Sequence, residues 1–152
     1  MEKKGLAFSA PAPWDESQTV GESLLTPTRI YVKQLLRLTN KGLLKGMAHI
    51  TGGGLYENVP RMLPKTLAAE IDVATWTVPP VFRWLKQAGN VSSTEFARAW
   101  NTGLGMVCVV AKEQVAAVVE LLSRDNETVY IIGQLVPRET EGCVLKNLAA
   151  WD

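Results

Sequence analysis

Between Ala48 and Arg61 the chain reads Ala-His-Ile-Thr-Gly-Gly-Gly-Leu-Tyr-Glu-Asn-Val-Pro-Arg, and these residue types suit the handling of an anion. Leu43 to Ile50 is apolar enough for a buried strand, and Leu55 to Leu63 reads as a short helix. Gly52, Gly53 and Gly54 therefore fall at a strand-to-helix turn. Without Cβ atoms the backbone there can approach a ligand closely and adopt positive φ. The first N–H groups of a helix lack intrahelical partners and point toward negative charge. Thr51 adds a hydroxyl. His49, the single histidine of the chain, stands two residues before the turn and suits orientation of a ligand or proton transfer near neutral pH. Asn58 and Arg61 lie just beyond the turn. The same residues taken alone also fit a tight turn without a ligand and a hydrogen-bonded core histidine. Neither a P-loop nor Gly-x-Gly-x-x-Gly is present.

The flanking elements must hold this turn in place. Residues 1–20 read as an extended lead-in, since Pro11 and Pro13 exclude a helix interior or a central strand, and the domain proper is expected over 21–152. Pro27 can open a helix, and Tyr31, Leu35 and Leu38 continue it at helical spacing to about Asn40. Its first turn carries Thr28 and Arg29; an ordinary surface charge is the competing reading for Arg29. Leu67 to Val73 reads as a strand. Pro79 and Pro80 open a helix with Val81, Trp84, Leu85 and Ala88 on one face, stopped by Gly89. Ser92 and Glu95 form a capping-box pattern for a further helix. Asn101-Thr102-Gly103-Leu104-Gly105 then leads into Met106 to Ala111, a strand covered on both faces. Its glycines suit close passage to a ligand or to the triple-glycine turn, and equally a bulge or tight packing. Val115, Val118, Val119 and Leu122 mark a helix, with strands expected at Thr128 to Val136 and Val144 to Asn147. The pattern is that of an α/β domain, a mixed sheet of about five strands with helices on both faces.

At 152 residues the chain suits one domain. Hydrophobic residues make up 47%, charged residues 20%, and the net charge is +1, the balance of a soluble globular protein. Basic residues are scattered, which argues against a nucleic-acid partner. Cys108 and Cys143 have no Cys or His at metal-ligand spacing, so neither a metal site nor a disulfide framework is expected. No stretch suits a membrane span or a signal peptide, which makes the cytoplasm the default compartment.

His49 to Leu55, followed by Glu57-Asn58-Val59-Pro60-Arg61, resembles phosphoribosylformylglycinamidine cyclo-ligase, also called aminoimidazole ribonucleotide (AIR) synthetase. Leu24-Leu25-Thr26-Pro27-Thr28-Arg29-Ile30-Tyr31 and Trp100-Asn101-Thr102-Gly103-Leu104-Gly105-Met106 look like the other signature segments of that enzyme's C-terminal domain, in the same order and spacing. The resemblance runs from about Gly5 to Asn147. It implies an AIR synthetase C-terminal-domain-like fold, partly ferredoxin-like. It also implies a chain that begins inside its own domain and lacks the family's N-terminal ATP-binding domain. In eukaryotes the cyclo-ligase is often fused to other purine-pathway enzymes, so a multifunctional parent is one expectation.

The activity implied is ATP-dependent ring closure of formylglycinamidine ribonucleotide to AIR, performed by a homodimer. ATP and Mg²⁺ would be bound mainly by the N-terminal domain, with no cofactor on this chain, and the chain alone would be inactive. The resemblance assigns Thr51, Gly52, Gly53 and Gly54 to a substrate phosphate, His49 and Asn58 to catalysis, and Arg61, Arg29, Thr28, Asn101 and Gly103 to substrate binding. Related domains of formylglycinamidine synthetase, selenophosphate synthetase and thiamine phosphate kinase are close alternatives. A phospho-ligand binding module without catalysis is the reading from another class.

Overall fold

The computed structural model describes residues 5–152; the start of the lead-in, residues 1–4, lies outside the described residues. In the rest of the lead-in, turns over residues 5–10 precede a pair of extended segments. β1 (Pro11–Ala12) and β2 (Asp15–Thr19) form an antiparallel ribbon. Thr19 then caps α1 (Val20–Leu24) through a reciprocal box with Glu22.

The helix expected from Pro27 begins only at Val32, as α2 (Val32–Asn40). Residues 26–30 form no helix, Tyr31 is the N-cap of α2, and the end of this stretch reaches distant partners. Arg29 pairs with Glu127 at 2.7 Å, and Tyr31 lies against His49. Beyond α2, β3 (Leu44–His49) runs into the glycine turn and α3 (Gly54–Asn58). The helix expected to Leu63 tightens to a 3₁₀ turn over Val59–Met62, because Pro60 has no N–H to continue the α-helical ladder.

β4 (Leu67–Asp72) is followed by α4 (Pro80–Gly89) and α5 (Ser93–Ala99). The Ser92 hydroxyl accepts from the Glu95 N–H, as the local pattern suggests. β5 (Met106–Val110), α6 (Val115–Arg124), β6 (Gly133–Pro137) and β7 (Cys143–Lys146) complete the chain.

The α/β class holds, but the strands do not form one sheet. β3 pairs antiparallel with β5, while β4 lies between antiparallel β6 and parallel β7. The expected strand from Thr128 shortens to Gly133 because β4 has nothing left to pair with it. Ile71 faces Gly133, the Asp72 N–H reaches the Ile132 carbonyl, and the chain then turns at Val73. A cleft of about 840 Å³ remains between β5 and residues 128–135, with Arg29 and Tyr31 at its edge. Ile50, Leu55, Val59, Ile71, Val73 and Leu145 lie in the core that joins the two larger sheets. Trp76 and Trp151 pack edge to face at 5.7 Å, and Trp14 packs against Trp84, so all three act as packing residues.

Candidate functional site

The three glycines of the turn are glycines for three different physical reasons. Gly52 opens on free space, with nothing within 4 Å of where a Cβ would stand. Gly53 has φ +92°, and a Cβ there would lie 2.6 Å from Oε2 of Glu57. Gly54 is buried at φ +56°, and a Cβ would overlap the carbonyl oxygen of Ala97 on α5. Gly54 therefore lets α3 pack against α5, Gly53 supplies the left-handed step, and of the three only Gly52 has open space where a side chain would stand.

The hydrogen bonds decide which backbone groups are available. The Gly54 N–H closes the turn onto the Thr51 carbonyl at 3.0 Å. Those of Thr51, Gly52 and Gly53 have no backbone acceptor among the described residues. The carbonyls face the other way, toward Asn58, whose Nδ2 donates to the oxygens of Thr51, Gly52 and Gly54 at 3.3, 3.2 and 2.8 Å. Asn58 is only 4% exposed. Its N–H groups are engaged in bracing the loop. Asn58→Ala is accordingly expected to lower stability by about 1–3 kcal/mol, since it removes a buried amide that braces three loop carbonyls, the one of Gly54 in a buried bond. Chemical denaturation of the variant, with the midpoint shift converted through an unchanged m-value, checks this.

Arg61 donates to Oδ1 of Asn58 at 3.3 Å and lies 3.9 Å from the Glu57 carboxylate. It is exposed. Glu57 itself hangs over Gly53, a negative charge that the sequence pattern did not reveal as part of the turn. Residue spacing alone shows it three to five positions from the glycines, and helical geometry folds it back onto them.

His49 ends β3, opposite Met106 of β5, and is exposed. The Tyr31 ring meets it with centroids 6.1 Å apart at 63°. The Ile50 N–H donates to the Gly105 carbonyl at 2.9 Å. All three signature segments thus converge at this end of the β3–β5 pair.

Three of the expected binding residues are otherwise engaged. Arg29 is paired with Glu127 in this structure. Asn101 accepts from the Gly103 N–H at 3.0 Å, closing a turn around buried Thr102, whose φ is +53°. Gly103 has φ +99° and lies against Pro79, leaving no room for a side chain. These two residues shape the loop before β5, and Gly103 lines the cleft beside that strand. Thr28 is exposed one residue from the Arg29 ion pair.

Burial pushes the thiols of Cys108 and Cys143 up to about 11 and about 12. Both are uncharged near neutral pH, as half-buried or buried strand residues without a cationic neighbour should be. Among the described residues no three His, Cys, Asp or Glu side chains are grouped to hold a metal, and no helix is long and apolar enough to cross a membrane.

Similarity to known proteins agrees with this geometry. Bifunctional purine biosynthetic proteins match the chain at 54% identity in Schizosaccharomyces pombe, 49% in Pichia angusta and 50% in Saccharomyces cerevisiae, covering 100%, 97% and 93% of it. The chain spans about a fifth of their length: 20%, 19% and 18%. The family described as AIR synthase related protein, C-terminal domain, matches residues 1–146. With its glycine turn, His49 and Gly105 gathered at one end of a strand pair, the chain belongs to that family.

Proposed function

We propose that this chain supplies the C-terminal half of an ATP-dependent phosphoribosylformylglycinamidine cyclo-ligase, within a longer polypeptide whose other domain binds ATP and Mg²⁺. The observation that carries the reading is the row of N–H groups from Thr51 to Gly53, without a backbone acceptor among the described residues, beside exposed His49. Ring closure needs the formyl oxygen turned into a leaving group by phosphorylation, after which a substrate nitrogen attacks the activated carbon and phosphate departs. Such a reaction rests on positioning and on neutralising phosphoryl charge.

In this assignment Thr51, Gly52 and Gly53 hold the substrate's ribose phosphate through their N–H groups, with the Thr51 hydroxyl beside them and Arg61 as countercharge. His49 orients the reacting nitrogen or moves its proton. Asn58 keeps the carbonyls turned away, so that the backbone of the turn offers the anion donors, while the Glu57 carboxylate over Gly53 opposes it. Gly54, Asn101 and Gly103 maintain the walls, and Thr28 and Arg29 border the cleft. The residues described here do not suit a Mg²⁺ site, so no step is assigned to a metal held by this chain. Chemistry by the chain alone is not expected, and the working enzyme is proposed to be a cytoplasmic homodimer.

Titration of the chain with inorganic phosphate and ribose 5-phosphate, followed by the backbone amide resonances, tests the cradle. The amides of Thr51, Gly52 and Gly53 are expected to move, and Gly52→Leu is expected to abolish the movement with little loss of stability, since that side chain enters open space. Gly53 is unsuited to this test, because its φ of +92° penalises any side chain. Glu57→Gln should tighten binding severalfold by removing the charge over the turn. Amides that phosphate leaves unmoved would remove the cradle and leave a tight turn in its place.

A further inference from the structure

We infer that Tyr31 and Gly105 act together as positioning residues for the His49 imidazole, Tyr31 through its ring and Gly105 through its lack of a side chain. The functional consequence rests on the role proposed above for His49. An exposed imidazole at a strand end has several rotamers open to it, and proton transfer or substrate orientation needs one of them. Tyr31 offers an aromatic edge-to-face partner: the 6.1 Å separation and 63° angle lie within the range such pairs favour.

Gly105 determines whether Tyr31 can stand there. A Cβ on Gly105 would overlap the Tyr31 hydroxyl oxygen, although the φ of this glycine is not in the left-handed region. Its glycine is therefore a matter of space and not of backbone freedom. The Gly105 carbonyl also accepts the N–H of Ile50 at 2.9 Å, the residue that follows His49. The seat of the tyrosine and the backbone of the histidine are in this way joined by one hydrogen bond. Tyr31 is in turn fixed as the residue on which α2 starts, with its carbonyl accepting from Leu35. Simple core packing does not account for the pair, because His49 is exposed and Tyr31 only half-buried.

The single histidine makes the test direct, because its ring protons give one set of imidazole resonances. In the folded chain these are expected to be displaced from their unfolded positions by the Tyr31 ring. Tyr31→Phe should keep the displacement and Tyr31→Leu should lose it. Gly105→Ala should lose it too, and adding Gly105→Ala to Tyr31→Leu should change nothing more. A displacement that survives Tyr31→Leu would overturn the inference.

For the functional arm, the chain replaces its 54% identical counterpart in the Schizosaccharomyces pombe relative, and AIR formation is measured. Tyr31→Leu should lower kcat about tenfold or more with the substrate KM kept, and Tyr31→Phe should restore it. Full activity in Tyr31→Leu, where His49→Ala is inactive, would also overturn the inference. Full activity in His49→Ala would instead overturn the proposed role of His49, and the resonance experiment alone would then decide the contact.

Discussion

Gly54→Ala should destabilise the fold by about 3 kcal/mol or more, the upper range for overpacking a tight contact. The new methyl would overlap the Ala97 carbonyl and approach that of Trp100 at 3.0 Å. Both are backbone atoms of the α5 region and cannot rotate away as a side chain would. Positive φ adds a separate, smaller penalty of about 1 kcal/mol. Gly42 isolates that second part, since it also has positive φ, +66°, but nothing lies within 4 Å of its Cβ position. Urea denaturation of Gly54→Ala, Gly42→Ala and Gly52→Ala should rank them in that order of damage. Equal midpoints for Gly54→Ala and Gly42→Ala would show that α3 and α5 do not pack as closely as described.

His49→Ala, in the same replaced enzyme, should lower kcat by about 10²–10⁴-fold, the range for a group that transfers or directs a proton in the transition state. The substrate KM should change little. Gly52→Leu should show the opposite split, raising KM for the ribonucleotide with kcat largely kept, because a phosphate held equally in ground and transition states contributes uniform binding. The pair of variants separates the two roles assigned to neighbouring residues. A KM defect in His49→Ala with kcat intact would place the histidine in binding and not in the chemical step.

The amino-acid order alone determined most of the elements and the place of the turn. Periodicity in Val115 to Leu122, Pro80 at the start of α4, and Ser92 before α5 are local signals, and local backbone preference decides them. The triple glycine and its neighbours likewise announced a strand-to-helix turn, because a run without Cβ atoms between two apolar segments has few other uses. The family resemblance came from the same short segments.

What the tertiary structure decided is what each of those residues touches. Sequence spacing placed Asn58 near the glycines but could not say that its amide faces their carbonyls. It placed Arg29 at a ligand-facing helix start, whereas Glu127, 98 residues away, takes its charge. Glu57 over Gly53, Tyr31 over Gly105 and the division of the strands into separate sheets belong to the same class. Each depends on contacts between residues far apart in the chain or folded onto each other by a turn, and no local propensity carries that information. Triple glycine was legible as one motif. Only the packing around it shows one glycine beside open space, one set by φ and one pressed against a helix.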